Sequence, residues 1–224
     1  MSVEIALCAA RVRHGPLEVL HGLDLALPAA TVTVLLGRNG SGRSTALGAL
    51  AGTVPLTAGR VVWGGADVTR VPADVRARRG LCLVPDLRAV YPRLTVAEHL
   101  ALAAEAAAAP GGRERALDAF PELGPLLGRP AGVLSGGERR MLALTRALLA
   151  PARVVLVDEP SLGLSPAVAA RTYALLTALA RPPDGDPSGG AAVVLAEQRV
   201  PPGLPPGAIG YELSRGTLVS AREL

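Results

Sequence analysis

Residues 31–45 read T-V-T-V-L-L-G-R-N-G-S-G-R-S-T, and this stretch decides the fold. Its first six residues are apolar or β-branched, which predicts a strand over Thr31–Leu36 that is buried on both faces of a sheet. The glycines that follow predict a tight loop, and a helix is expected from about Ser44 to Ala51. This order of strand, Gly-rich loop and helix matches the phosphate-loop pattern G-x-x-x-x-G-K-[ST], with Arg43 in the place of the lysine.

This loop has the chemistry of a triphosphate site. Glycines allow backbone N–H groups to converge on phosphate oxygens, and the N-terminal end of the helix adds partial positive charge. Arg43 would neutralise the β- and γ-phosphates, and Ser44 would offer its hydroxyl to Mg²⁺. Taken alone, the loop is equally compatible with an ordinary Gly-rich turn. The expected nucleotide-binding residues of the loop are Gly37, Arg38, Asn39, Gly40, Ser41, Gly42, Arg43, Ser44 and Thr45.

A second motif lies at residues 154–159, which read V-V-L-V-D-E. Four apolar residues predict a buried strand, and two acids stand where that strand ends. Asp158 would hold Mg²⁺, through water, because Mg²⁺ keeps much of its hydration shell. Glu159 would orient or deprotonate the attacking water, so it is the expected catalytic carboxylate. Without the other motifs, the pair could equally be two solvated acids at a strand end.

A third motif, L-S-G-G-E at residues 134–138, begins a predicted helix over Ser135–Ala150. Ser135 and Glu138 have the spacing of a capping box. The hydroxyl of Ser135 and the N–H groups of Gly136 and Gly137 would form an anion site at the N-terminal end of this helix. By itself, the motif could be only a helix cap with two glycines.

The alternation of strands and helices predicts an α/β fold with a mainly parallel sheet. Short antiparallel strands are expected within Val3–Leu27. Two more strands and two more helices are expected at Leu81–Val84, Ala191–Ala196, Thr95–Ala108 and Ser165–Ala180. We expect one domain over residues 1–224, with an inserted helical subdomain at roughly 87–150. Pro/Gly-rich loops are expected at 182–190 and 201–207.

Composition narrows the function classes. The formal net charge is +4 and only 2% of residues are aromatic, so a surface that stacks on bases is not indicated and nucleic acid is not an expected partner. No run approaches the ~20 apolar residues of a membrane helix, and the N-terminus does not look like a signal peptide, so a cytoplasmic protein is expected. All 23 basic residues are arginine. An arginine at position 43 is therefore also compatible with coding drift.

The three motifs, in this order and spacing, resemble the ABC-transporter ATPase family over nearly the whole chain. The resemblance implies a P-loop NTPase fold with a RecA-like core, an antiparallel β-subdomain and a helical subdomain that carries L-S-G-G-E. It implies ATP and Mg²⁺ as cofactors and a dimer, with a second copy or a paralogue as the second ATPase subunit. Ser135, Gly136 and Gly137 would then meet the γ-phosphate of ATP bound to the other subunit. Membrane permease subunits and, indirectly, a substrate-binding protein are the further implied partners, at the inner face of the cell membrane.

A closer resemblance is to the ATPases of branched-chain amino acid importers. It is carried by L-V-P-D-L-R-A-V-Y-P-R-L-T-V-A-E-H-L, by F-P-E-L, by D-E-P-S-L-G-L-S-P and by A-E-Q before Arg199. It implies a catalytic role for Gln198 at the switch position, beside Glu159 and Arg43. It places Asp86 in the Q-loop as a further Mg²⁺ ligand and His14 where an aromatic ring usually stacks on adenine.

Three departures from the family pattern leave alternative functions open. Arg43 is longer and flatter than lysine, Asp86 is shorter than glutamate or glutamine, and four prolines in 201–206 rule out a helix after Gln198. The expected function is ATP hydrolysis that drives an importer, for branched-chain or related amino acids. The main alternative is a nucleotide-binding module with little or no hydrolysis that acts structurally or as a regulator. A non-transport ABC protein of translation or repair is a third, weaker alternative, since it would carry two such cassettes or a long coiled-coil insertion.

Overall fold

The computed structural model describes residues 2–86, 89–106, 108, 110–181 and 189–224. Its strands, in chain order, are β1 Val3–His14, β2 Leu17–Pro28, β3 Val32–Leu36, β4 Ala58–Trp63, β5 Ala66–Asp67, β6 Leu81–Val84, β7 Val154–Asp158, β8 Ala192–Glu197, β9 Ile209–Ser214 and β10 Thr217–Glu223. Its α-helices are α1 Arg43–Ala51, α2 Ala73–Arg78, α3 Val96–Ala106, α4 Gly112–Ala119, α5 Gly136–Leu149 and α6 Pro166–Ala178.

A six-stranded sheet with the order β10-β9-β3-β8-β7-β6 forms the centre of the fold. The five strands from β9 to β6 in this order are parallel to one another, and β10 at the edge is antiparallel to β9. Every residue of β3, β7 and β8 is buried, because helices or the second sheet cover both faces of the central strands. The predicted α/β class with a mainly parallel sheet is confirmed, and the carboxyl ends of these strands share one edge.

A four-stranded antiparallel sheet with the order β2-β1-β4-β5 lies against one side of this centre. Leu47 and Leu50 of α1 share one apolar core with residues of both sheets. The sequence predicted short strands within Val3–Leu27, whereas β1 and β2 each have 12 residues and form one long hairpin. Bulges along this pair explain the difference, since they break the strict alternation of apolar and polar residues.

Helices α3, α4 and α5 share a second apolar core that extends to the other face of the six-stranded sheet. Both predicted capping boxes are present, because Glu98 accepts from Thr95 N–H at 2.7 Å and Glu138 accepts from Ser135 N–H at 2.7 Å. Helix α4 was not predicted from the sequence. Gly111, with φ 66°, directly precedes the start of α4.

The structure describes one of the two predicted Pro/Gly-rich loops fully and the other only in part. Most of 182–190 lies outside the described residues. Residues 201–207 contain no helix or strand, as the prolines predict. Among the residues that the structure describes, no helix is both long and apolar enough to cross a membrane.

Candidate functional site

The predicted phosphate loop lies at the carboxyl end of β3 and leads into α1. Gly42 has φ 101°, a conformation that other residues rarely adopt, and a Cβ there would lie 2.9 Å from Leu20 Cδ2. At Gly37 a Cβ would lie 2.5 Å from Leu213 O. The backbone therefore approaches its surroundings more closely than a side chain would permit, which explains why glycine occupies both positions. Arg38, Asn39 and Gly40 are exposed at the rim of this loop.

Arg43 is the first residue of α1 and is only 5% exposed. Its Nη2 lies 2.8 Å from Oε1 of Glu159, so the buried guanidinium forms an ion pair with a partly buried carboxylate. Its Nη1 is also buried, and it has no hydrogen-bond partner among the described residues. Buried donors of this kind are rare, so the free Nη1 fits an oxygen that a ligand would bring.

Asp158 ends β7 and is 5% exposed. Burial raises the pKa of Asp158, and the hydroxyl of Ser44 and the charge of Arg43 act in the opposite direction. Its Oδ1 is buried and unpaired within the described part of the chain. Asp86 follows β6 and is close enough for its charge to raise the pKa of Asp158 further. A buried free carboxylate oxygen beside a hydroxyl and a second carboxylate fits Mg²⁺, which binds through one or two carboxylates plus phosphate oxygens.

Glu159 has φ 48°, which is an uncommon conformation for a residue other than glycine. Such strain persists only where neighbouring groups hold the residue in place. Its N–H donates to Ala196 O at 2.9 Å, which ties it to β8. Nε2 of Gln198 lies 3.3 Å and 3.4 Å from its two carboxylate oxygens. The structure thus brings Arg43, Glu159 and Gln198 together.

His14, at the end of β1, lies near the same loop. Its Nε2 is 3.5 Å from Oγ1 of Thr45, and the ring is exposed. The ring therefore borders the helix that follows the phosphate loop. Its stacking on adenine stays a prediction.

Ser135, Gly136 and Gly137 lie at the N-terminal end of α5. Ser135 and Gly136 are exposed, and Ser135 accepts from Glu138 N–H at 3.2 Å within the capping box. Gly137 fits closely against the loop after β7, since a Cβ on it would lie 2.7 Å from Gly163 O. None of the hydrogen bonds that the described residues make joins this segment to the phosphate loop of the same chain. The exposed helix end is therefore open to a ligand held by another molecule.

Arg140 is a site residue that sequence reasoning missed. It is 5% exposed, and its Nη1 donates to Pro85 O at 2.9 Å while its Nη2 donates to Asp158 O. It therefore connects α5 to the ends of β6 and β7. The charges of Asp86, Asp158, Glu197 and Glu159 oppose the effect of burial, which lowers the pKa of Arg140. Only the pair of arginines directly after L-S-G-G-E could have indicated it.

Comparisons with known proteins match this arrangement. A family model described as ABC transporter matches residues 20–162. The chain is 31% identical over 217 residues to the high-affinity branched-chain amino acid transport ATP-binding protein BraG of Pseudomonas aeruginosa. The matched region covers 92% of this chain and 87% of that protein. It is 39% identical over 153 residues to the probable branched-chain amino acid transport ATP-binding protein LivF of Archaeoglobus fulgidus. Here the matched region covers 67% of this chain and 65% of that protein.

Two solved structures have the same fold. An ATP-binding subunit of an ABC transporter superposes with a TM-score of 0.81 at 21% identity, over 100% of this chain and 90% of that chain. A bacterial Atm1-family ABC exporter with ATP bound superposes with a TM-score of 0.81 at 20% identity, over 98% of this chain and 38% of that chain. These likenesses confirm the predicted P-loop NTPase fold, with its mainly parallel sheet and antiparallel β-subdomain.

Proposed function

The chain belongs to the ABC transporter family of ATP-binding subunits, which are ABC-type ATPases, and from this premise we propose that it hydrolyses MgATP to drive an importer for branched-chain or related amino acids. The importer class is supported by two relatives whose names include branched-chain amino acid transport. ATPase subunits of this family generally dimerise and associate with permease domains. For this chain we propose a second copy or a paralogue as the other ATPase subunit and a membrane permease as the platform. The localisation that follows is cytoplasmic and peripheral on the membrane.

The convergence of the ends of β3, β7 and β8 carries this proposal. Arg43, Glu159 and Gln198 come from three separate segments and meet within hydrogen-bonding distance. Beside these contacts, two buried atoms have no partner among the described residues: Nη1 of Arg43 and Oδ1 of Asp158. An unpaired cation donor and an unpaired carboxylate oxygen, both beside a glycine loop, have the chemistry that a phosphate group and a divalent cation require.

Each residue has a role in hydrolysis. Mg²⁺, when bound, would neutralise charge on the transferring phosphoryl group. Asp158 and Ser44 are placed to hold it, with Asp86 at the edge of the same site. Arg43 turns from Glu159 towards the phosphate oxygens, and Glu159 is then free to accept a proton from the attacking water. Gln198, through its amide N–H, keeps the carboxylate of Glu159 aligned.

The site in one chain is half of a complete site. Ser135 and Gly136 are exposed at the N-terminal end of α5. Such an end attracts anions through its free N–H groups and the helix dipole. We propose that these groups bind the γ-phosphate of ATP on the second ATPase subunit, so that ATP joins the two subunits and hydrolysis separates them.

A second candidate function is nucleotide binding with little hydrolysis. The ion pair between Arg43 and Glu159 favours it, because the guanidinium occupies the carboxylate that would otherwise meet the attacking water. Phosphate release by the chain, assembled with its permease, separates the two functions. A transport ATPase releases phosphate steadily and faster when transport substrate and binding protein are supplied, whereas a regulatory module binds ATP without turnover.

The architecture is tested with Glu159→Gln, which removes the proton acceptor but leaves the phosphate loop intact. This variant should form an ATP-dependent dimer that light scattering after size exclusion detects. Adding Ser135→Arg should abolish the dimer, because a bulky side chain would exclude the γ-phosphate from the end of α5. Arg139→Ala, at an exposed position on the same helix, is the matched control and should leave the dimer intact. A monomer in the Glu159→Gln variant, even with permease and paralogue present, contradicts the proposal.

A further inference from the structure

Glu197 is a buried carboxylate with no role in the chemistry described above. It is the last residue of β8, is 6% exposed and directly precedes Gln198. Burying a carboxylate costs free energy unless hydrogen bonds or opposite charges stabilise it. Its partners therefore indicate why the fold places an acid at this position.

Two hydroxyl groups donate to the same oxygen of Glu197. The hydroxyl of Ser161, in the loop after β7, lies 3.1 Å from Oε1, and the phenol of Tyr173 on α6 donates to the same atom. Burial, together with the hydrogen bond to Glu197, raises the pKa of Tyr173, so the phenol stays protonated and remains a donor at neutral pH. The carboxylate also attracts the buried guanidinium of Arg140 and so opposes the effect of burial, which lowers the pKa of that group.

These contacts join the two segments that carry Glu159 and Gln198. Ser161 is two residues after Glu159, and Glu197 is one residue before Gln198. The N–H of Glu159 already donates to Ala196 O at 2.9 Å. The loop after β7 is thus attached to β8 at two consecutive residues, once through its backbone and once through the hydroxyl of Ser161.

We propose that Glu197 is a positioning residue for ATP hydrolysis: it holds the loop at 159–164 against the end of β8 and so fixes the carboxylate of Glu159 relative to Gln198. The inference rests on the proposed ATPase function. The strained φ of 48° at Glu159 explains why a second attachment is needed, because a residue in this conformation returns to a relaxed one unless its surroundings hold it. Tyr173 in turn fixes Glu197 from the side of α6.

A loosened loop would affect the chemical step more than ATP binding. The phosphate loop and Arg43 lie on a different segment from Ser161 and Tyr173, so the binding contacts remain. A displacement of the proton acceptor by about 1 Å can cost on the order of 10²-fold in rate. The expected result is therefore a lower kcat with an unchanged KM for ATP.

The test compares Ser161→Ala and Tyr173→Phe with the wild type, each assembled with the permease and the other ATPase subunit. Each variant removes one hydroxyl and leaves the buried carboxylate with one donor. Tyr211→Phe is the matched control, since it removes a phenol that donates to Ala26 O at 2.9 Å on β2. Ser161→Thr keeps a hydroxyl and should rescue the activity that Ser161→Ala loses. Hydrogen exchange of the backbone N–H groups of residues 159 and 161–164 in the nucleotide-free protein gives a second measurement that does not depend on turnover.

We expect Ser161→Ala and Tyr173→Phe to lower kcat by about tenfold or more, with KM within about twofold and with faster exchange at residues 159 and 161–164. Equal kcat for both variants and the wild type, or a fall in kcat that merely follows a fall in ATP affinity, overturns the role of Glu197 and leaves the ATPase function standing. A wild type that binds ATP but releases no phosphate overturns the ATPase function and the role of Glu197 with it.

Discussion

The two ends of α1 each lie beside a buried arginine, and the two arginines have opposite hydrogen-bonding states. At the C-terminal end, Arg76 from α2 is 1% exposed and donates to five backbone oxygens, namely those of Ala49, Leu50, Val68, Thr69 and Val71. At the N-terminal end, Arg43 is 5% exposed and donates to one carboxylate, with Nη1 unpaired among the described residues.

This difference indicates that Arg76 supports the fold, whereas Arg43 has a donor that a ligand could use. The carbonyl groups of the last turn of a helix lack partners within the helix. Arg76 donates to two carbonyl oxygens in the last turn of α1, those of Ala49 and Leu50. Arg43 is buried to a similar extent, but its Nη1 has no partner among the described residues, and a ligand oxygen could supply one. The same helix is thus anchored at one end, and at the other it carries the arginine for which we propose a role in phosphate binding.

The largest effect is expected from Arg76→Leu, because five backbone carbonyl oxygens lose the guanidinium as a donor, and three of these hydrogen bonds are fully buried. Each buried polar group that loses its partner costs about 1–3 kcal/mol, so the free energy of unfolding should fall by at least about 3 kcal/mol. Urea unfolding followed by circular dichroism measures it. Arg78→Leu on the same helix is the control, because the side chain of Arg78 is 70% exposed and its loss should change stability little. If both variants unfolded at the same urea concentration, Arg76 would not have the supporting role described.

A smaller effect, on rate and not on stability, is expected from Arg43→Lys. Lysine keeps the positive charge but has a compact ammonium in place of the planar fork, so it releases Glu159 more readily and fits closer to the phosphates. We expect phosphate release to rise several-fold, where tenfold would need only about 1.4 kcal/mol. Steady-state phosphate release with the permease measures it. An unchanged or lower rate would show that the arginine is already the better residue at this position.

The smallest effect is expected at the pair between Arg171 and Glu122, which lie 2.6 Å apart and are 37% and 38% exposed. The hydrogen bond from Arg171 lowers the pKa of Glu122 below its ordinary value of 4.5. The pair therefore contributes stability above about pH 4.5 that is lost as pH falls through the lowered pKa. Exposed pairs contribute ~0.2–1 kcal/mol, so Glu122→Gln should cost less than about 1 kcal/mol at pH 7 and progressively less as the pH falls below about 4.5. A cost that did not shrink as the pH fell would exclude the ion pair as its cause.

The sequence was sufficient to predict two of the strands that position the candidate site. The β-branched run before Gly37 predicted a buried strand, and V-V-L-V-D-E predicted a second strand ending in two acids. Both strands are buried throughout and adjoin β8. These predictions succeeded because the signal is local: apolar runs determine burial, and glycines and acids mark where a strand ends.

The roles of Arg76 and Arg140 could not be predicted in the same way. Arg76 lies in A-D-V-R-A-R-R, a segment whose charges are typical of an exposed helix, and its acceptors Ala49 and Leu50 are 27 and 26 residues away. Arg140 likewise binds Pro85 O, which is 55 residues away. Such contacts depend on tertiary packing and not on sequence pattern. The φ of 48° at Glu159 was equally hidden, because nothing in D-E-P-S marks a residue for that conformation.

The central claim is that Arg43 is held at the N-terminal end of α1 to bind phosphate, and a titration with MgATP tests it most directly. A fluorescent ATP analogue should bind the wild type saturably at or below millimolar concentration. Arg43→Ala, which removes the cation, should weaken binding by about tenfold or more, as expected for the loss of roughly 1.4 kcal/mol or more of charge-assisted interaction. No binding to the wild type at millimolar nucleotide, or equal binding to both proteins, would contradict the claim.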